Sequence, residues 1–220
     1  MEAGPSIGGR VGPVALKLRL LLAGLGVALA LLLGTVWLFS GSRVRCEELA
    51  DAYGSRLLSC VFEVAASPET VWQAFTRTDV PNRHYFDAVL QAEMRPGGRW
   101  RFVTDDLERL LAEGEILMLE PPRRFQQTFR AADLEDAPSR ITLEIEATAG
   151  GSRVTLTHDR FEGETTTYRR FRRAHPLALS ALVSLVEDGR LPIRARVYTL
   201  IFKPGMKSVS ARAEPWHGGP

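Results

Sequence analysis

The chemistry open to this chain starts from four histidines, His84, His158, His175 and His217. Imidazole is the side chain whose ordinary pKa lies nearest neutrality, so each is a candidate acid, base or metal ligand. No two stand at ligand spacing on one element, and the only two cysteines, Cys46 and Cys60, rule out a four-cysteine zinc site, so no metal site is expected. There is no phosphate-cradling glycine loop and no serine in a nucleophile elbow, and no cofactor is expected.

His158 follows Val154 and Leu156 at even spacing, so in a strand the three share a face and His158 points inward. It is then either a general base in a cavity or a core histidine held by hydrogen bonds. His175 stands just before Pro176 at the head of a leucine-rich run, as a ligand contact at a cavity mouth or a half-exposed cap. Tyr85, with Phe86, either closes over a ligand or packs under a neighbouring helix. Gln127 shares a face with Phe125 and Phe129 and would give an apolar pocket a polar handle. Phe102 and Leu179 complete the candidate wall. The densest basic run, Arg169, Arg170, Arg172 and Arg173, is either a site for anionic lipid headgroups or a solvated helix face.

These residues need elements to hold them. Leu57 to Ala66 alternates as a strand, with Leu58, Cys60, Phe62 and Val64 on one side. Ser67-Pro68-Glu69 is a helix start, with a capping hydroxyl, a proline at the first position and an acid at the positive end. Val71, Trp72 and Phe75 form that helix's apolar side, and Asp79 to Phe86 adds a further turn. Strands are then expected at Val89–Met94, Trp100–Thr104, Glu115–Leu119, Phe125–Phe129, Ile141–Ile145 and Val154–His158, with turns at Pro96-Gly97-Gly98 and Gly150-Gly151. From Thr165 the period becomes helical. Pro176 should break this helix or begin its main segment, and Gly189 suits its end. The consecutive strands need a cover, and the last helix supplies it.

Composition, with 45% hydrophobic and 25% charged residues, is that of a folded protein, and the net charge is +2. The charge is split: 165–220 carries ten basic residues against three acidic, and 43–164 balances it. A domain with no net charge lacks the broad basic face that nucleic-acid binding requires. Leu20 to Phe39 carries no charge and is long enough, at about 1.5 Å per residue, to span about 30 Å of hydrocarbon. It is longer than a cleaved signal's apolar core and reads as a retained anchor. Arg10, Lys17 and Arg19 before it favour a cytoplasmic N-terminus and an extracytoplasmic domain. The expected layout is a tail at 1–19, a transmembrane helix at 20–39, a juxtamembrane linker at 40–56, a domain at 57–189 and a basic extension at 190–220, partly disordered. Cys60 faces the core with Phe62, which favours a buried thiol over a bridge to Cys46.

Ala65-Ala66-Ser67-Pro68-Glu69-Thr70-Val71-Trp72, Met94-Arg95-Pro96-Gly97-Gly98, Glu113-Gly114-Glu115-Ile116, Glu120-Pro121-Pro122-Arg123-Arg124-Phe125, Ser139-Arg140-Ile141-Thr142 and Leu156-Thr157-His158-Asp159-Arg160-Phe161 stand in an order that resembles the START-like (SRPBCC) superfamily. The similarity is to the branch named for activators of a heat-shock chaperone ATPase, and it spans about 57–189. One departure is Ala174-His175, where that branch often carries Gly-Trp. The resemblance implies an α+β helix-grip fold, a curved antiparallel sheet wrapped around a long C-terminal helix, with a cavity between them. It also places His84-Tyr85 near the cavity entrance. Members of the superfamily bind lipids, sterols, hormones or polyketides, and others catalyse cyclisation or hydrolysis or serve chaperones, so the fold does not choose among these. The expectation is a membrane-anchored domain holding a small hydrophobic molecule or lipid. The alternatives are a cyclase or hydrolase using His158 with Tyr85 or Glu93, and a chaperone-cofactor-like interaction module.

Overall fold

The structure, a computed structural model, describes residues 43–50, 55–209 and 211–218, and before them the helical positions 19, 22–26, 29 and 34. The chain divides into two units, Met1–Gly41 and Ser42–Pro220. The expected span at 20–39 lies for the most part outside the described residues. Among those that are described, no helix is long and apolar enough to cross a membrane.

The second unit opens with β1 (Arg45–Ala50) and β2 (Arg56–Val64), then helix α1 (Pro68–Thr76). A two-residue strand, β3 (Pro81–Asn82), leads into a 3-10 turn at Arg83–Tyr85. Six strands follow: β4 (Ala88–Ala92), β5 (Arg99–Val103), β6 (Arg109–Glu120), β7 (Arg124–Ala131), β8 (Ser139–Thr148) and β9 (Gly151–Phe161). Two helices, α2 (Thr166–Asp188) and α3 (Ile193–Val209), and a short β10 (Ala211–Arg212) end it. The sheet runs β1-β2-β9-β8-β7-β6-β5-β4-β3, antiparallel throughout, with β10 added against the start of β6. Its inner side meets α2 through Phe171, Leu179 and Val183, and α1 through Val71 and Trp72. This is the curved antiparallel sheet and long C-terminal helix of the helix-grip fold.

Local rules held where the signals were strong. Ser67 Oγ accepts from the Thr70 amide at 3.3 Å, and Pro68 opens α1. Thr165 caps α2 in the same way, its hydroxyl accepting from the Tyr168 amide at 3.1 Å, and Gly189 leaves the helix at φ +66°. Gly114 in β6 lies against β7 so closely that a Cβ would stand 2.1 Å from the Thr128 carbonyl oxygen. That carbonyl also accepts the indole N–H of Trp100 at 3.0 Å.

Four expectations are corrected. The expected linker at 40–56 contains a strand. β1 pairs with β2 so that Cys46 faces Cys60, their Cα atoms 4.1 Å apart, and the two are bridged rather than free. The strand was hard to read because its one half-covered side chain is Cys46, so no alternation of apolar residues marks it. Pro176 neither breaks nor begins the last helix, which runs through it from Thr166 to Asp188. Proline removes one ladder donor, the one that would reach the Arg172 carbonyl, and the helix continues past it; one turn on, Ser180 Oγ donates to the Pro176 carbonyl at 2.6 Å and accepts from the Val44 amide at 3.1 Å. β6 is far longer than 115–119, because register shifts near Val103 and between Ile116 and Met118 interrupt its alternation. Within the expected extension at 190–220 lie α3 and β10. α3 carries the apolar run Val197–Phe202, and beyond β10 the Trp216 ring lies 4.9 Å from the Arg101 guanidinium.

Candidate ligand cavity

Two adjoining spaces lie beside α2. The inner one, about 100 Å³, sits between α2 and the sheet. Tyr85, Phe102, Gln127, Phe129, His175 and Leu179 line it, together with Asn82 and His84. The outer one, about 380 Å³, is walled by Phe86, Leu111 and the Asp133–Arg170 pair, and by Tyr198 and Phe202 of α3. Tyr85, Phe129 and Phe171 line both, so these three rings form the partition. Tyr85 packs on Phe102 at 4.9 Å between centroids, and burial pushes its phenol up to about 12, so it remains a neutral hydroxyl.

Six of the seven residues expected at the cavity stand on the inner wall, and His158 does not. It is wholly buried on β9, boxed by Phe161 at 4.4 Å, Phe171 at 5.0 Å and Phe129 at 5.6 Å. Its contacts are polar on both sides. Nε2 lies 2.7 Å from Ser139 Oγ and Nδ1 lies 3.0 Å from Nε2 of His175, while Ser139 Oγ donates to the Phe129 carbonyl at 3.2 Å. Burial, then the neighbouring His175, holds His158 well below the usual imidazole range, and burial pushes His175 down to about 3. Both rings are neutral at physiological pH. Ser139 beside an imidazole has the outline of a nucleophile and its base, but the serine is 2% exposed and lines neither space.

Of the two readings of His175, a ligand contact or a half-exposed cap at a helix start, the cap is corrected. His175 lies in the middle of α2 and is 6% exposed, because Pro176 did not end the preceding turns. The basic run does not present one face. Arg170 forks onto Asp133 at 2.8 and 2.7 Å, Arg172 reaches Glu48 at 3.2 Å, and Arg169 bonds the Glu164 carbonyl and Thr166 at the helix start. Arg173 is exposed.

Sequence reasoning missed Asn82, whose side chain is 7% exposed and whose Nδ2 has no hydrogen-bond partner. An asparagine in a turn ordinarily faces water, and only the pairing of β3 with β4 turns this one inward. The outer chamber was also missed, although the apolar run in α3 was its signal. Among the described residues no cluster of His, Cys, Asp and Glu could hold a metal ion.

Residues 65–187 match the family described as "Activator of Hsp90 ATPase homolog 1-like protein". Among solved structures, CalU16 from Micromonospora echinospora shares 19% identity at a TM-score of 0.51, over 76% of this chain and 96% of that one. A conserved protein of unknown function from Enterococcus faecalis, EF2215, shares 15% at 0.54, over 78% and 97%. The solution structure of the Aha1 dimer from Colwellia psychrerythraea gives 18% at 0.52, over 61% and 98%. At these identities the likeness is one of fold. No curated protein matches the chain.

Proposed function

The chain belongs to the Activator of Hsp90 ATPase homolog 1-like family, and we propose that it works as a non-enzymatic, membrane-anchored receptacle for a small hydrophobic molecule or lipid. The observation that carries this reading is the pair of apolar spaces divided by Tyr85, Phe129 and Phe171. The outer space is within the range of small-molecule sites, roughly 300–1,000 Å³. Polar groups on the inner wall are few and uncharged, which suits orientation of an apolar guest. Chemistry on the guest finds little support: the contact between Ser139 and the His158 imidazole lines neither space, and no carboxylate or cation lines the inner one.

The uncharged run from Leu20 to Phe39 supports the anchor. The basic residues before it favour an extracytoplasmic domain, and the Cys46–Cys60 bridge supports the same side, since such bonds persist in oxidising compartments. A reporter fused after Pro220 and active only in the cytoplasm should stay silent. For the cavity, native mass spectrometry of the full chain released from detergent should show a retained or acquired apolar molecule. Ligand-free protein from several hosts, with no uptake from a lipid extract, would end this reading.

A further inference from the structure

The inner chamber holds more polar capacity than the protein itself uses. Asn82 Nδ2 has no partner, and no hydrogen bond among the described residues engages Gln127's amide or Nδ1 of His175. All three residues are more than nine-tenths buried, and all three line the same space of about 100 Å³. No charged residue stands on that wall.

The direction of the hydrogen bonds behind the wall fixes what His175 offers. Ser139 donates its one proton to the Phe129 carbonyl, so toward His158 it can only accept. Nε2 of His158 therefore carries that ring's proton and its Nδ1 is a lone pair. That lone pair needs a donor, which is Nε2–H of His175. The remaining nitrogen of His175, Nδ1, is then an acceptor facing the chamber. The opposite wiring would give up the bond to the Phe129 carbonyl and leave an unmatched N–H at the wall.

Resting on the reading of the cavity as a ligand site, we propose that the inner chamber selects the hydroxyl end of a neutral apolar molecule, an alcohol or phenol. The hydroxyl donates to Nδ1 of His175 and accepts from the amides of Asn82 or Gln127. A hydroxyl is the smallest group able to do both. A carboxylate meets a lone pair and no cation here, and a bare hydrocarbon leaves the buried amide and imidazole unmatched. The apolar body of the molecule lies past Tyr85 in the outer chamber. Ser139 and His158 are positioning residues, since they set the tautomer of His175 without touching the guest.

The test uses three probes of one shape, 2-naphthol, naphthalene and 2-naphthoate, titrated into the full chain in detergent at pH 7.5. 2-Naphthol should bind about tenfold more tightly than naphthalene, the worth of one buried hydrogen bond, and naphthoate should bind most weakly. His175→Phe should remove the preference for the naphthol and leave naphthalene bound. Ser139→Ala should narrow the preference, and nitrogen-15 spectra of the histidine rings should show His175 shifting away from its Nε2–H tautomer. Equal affinity for naphthol and naphthalene overturns the hydroxyl inference while the cavity reading stands. An Nδ1–H tautomer of His175 in the unaltered chain also overturns it. Failure of all three probes to bind overturns the cavity reading and this inference with it.

Discussion

Nδ1 of His158 and Nε2 of His175 lie 3.0 Å apart where both rings are buried, and it is that burial which makes the stability of the domain depend on pH. Both are held neutral, His175 down to about 3, whereas an unfolded chain protonates them near 6.5. A depressed imidazole pKa means that the unfolded state takes up protons which the folded state refuses. Stability is therefore full above about pH 7 and is lost as the pH falls below 6.5, by up to about 1.4 kcal/mol per pH unit for each ring. His84, pushed by burial to about 4, adds in the same sense. Urea midpoints measured between pH 7.5 and 5 should fall steeply, in a range where the carboxylates are still ionised. A flat profile would show that the rings are accessible to protons in the native state.

The Cys46–Cys60 bridge closes a loop with a sequence separation of 14. Chain entropy for a loop of this length is worth about 3 kcal/mol, and Cys46→Ser should lower unfolding stability by about that amount. Material from an oxidising compartment, denatured without reductant, should give no thiol reaction.

Gly114 has no room for a methyl group. Gly114→Ala would drive a Cβ into the Thr128 carbonyl and against the Trp100 indole, and it should cost about 1–3 kcal/mol in thermal or urea unfolding. Gly150→Ala, where a Cβ meets nothing within 4 Å, is the matched control and should change little.

Lys203 bridges Asp87 at 2.7 Å and Asp105 at 2.9 Å, fastening α3 over the outer chamber. Lys203→Ala should cost under about 1 kcal/mol of global stability, as half-exposed pairs do. It should raise amide hydrogen exchange across 193–209 and speed the release of a bound probe. Unchanged exchange would mean that Tyr198, packed on Phe86 at 5.4 Å between centroids, suffices to seat the helix.

The sheet and the first helix were legible because their signals are local. The alternation at Ile141, Leu143 and Ile145 and the Ser67-Pro68 start needed no distant partner. β1 was not legible, since its place depends on Cys60, Tyr168 and Ser180, far along the chain. Pro176 misled because a proline inside a helix withholds one donor, the one that would reach the Arg172 carbonyl, and the helix continues with its flanking turns buried through Phe171, His175 and Leu179. The wall residues were found from strand faces alone. The same logic sent His158 inward correctly but could not tell the cavity side of the core from the packed side. That distinction is made by Phe129 and Phe171, which fill the space before it.

His175, His158 and Ser139 stand in line, each donating to the next and Ser139 to the Phe129 carbonyl. Altering one strands a buried donor or acceptor on its neighbour, so the three sites are bound to vary as a set. Drift at any one is blocked unless the others shift to apolar residues in step. A triple replacement of all three by hydrocarbon side chains should then be milder than the sum of its single steps, and related sequences should hold either the whole line or none of it.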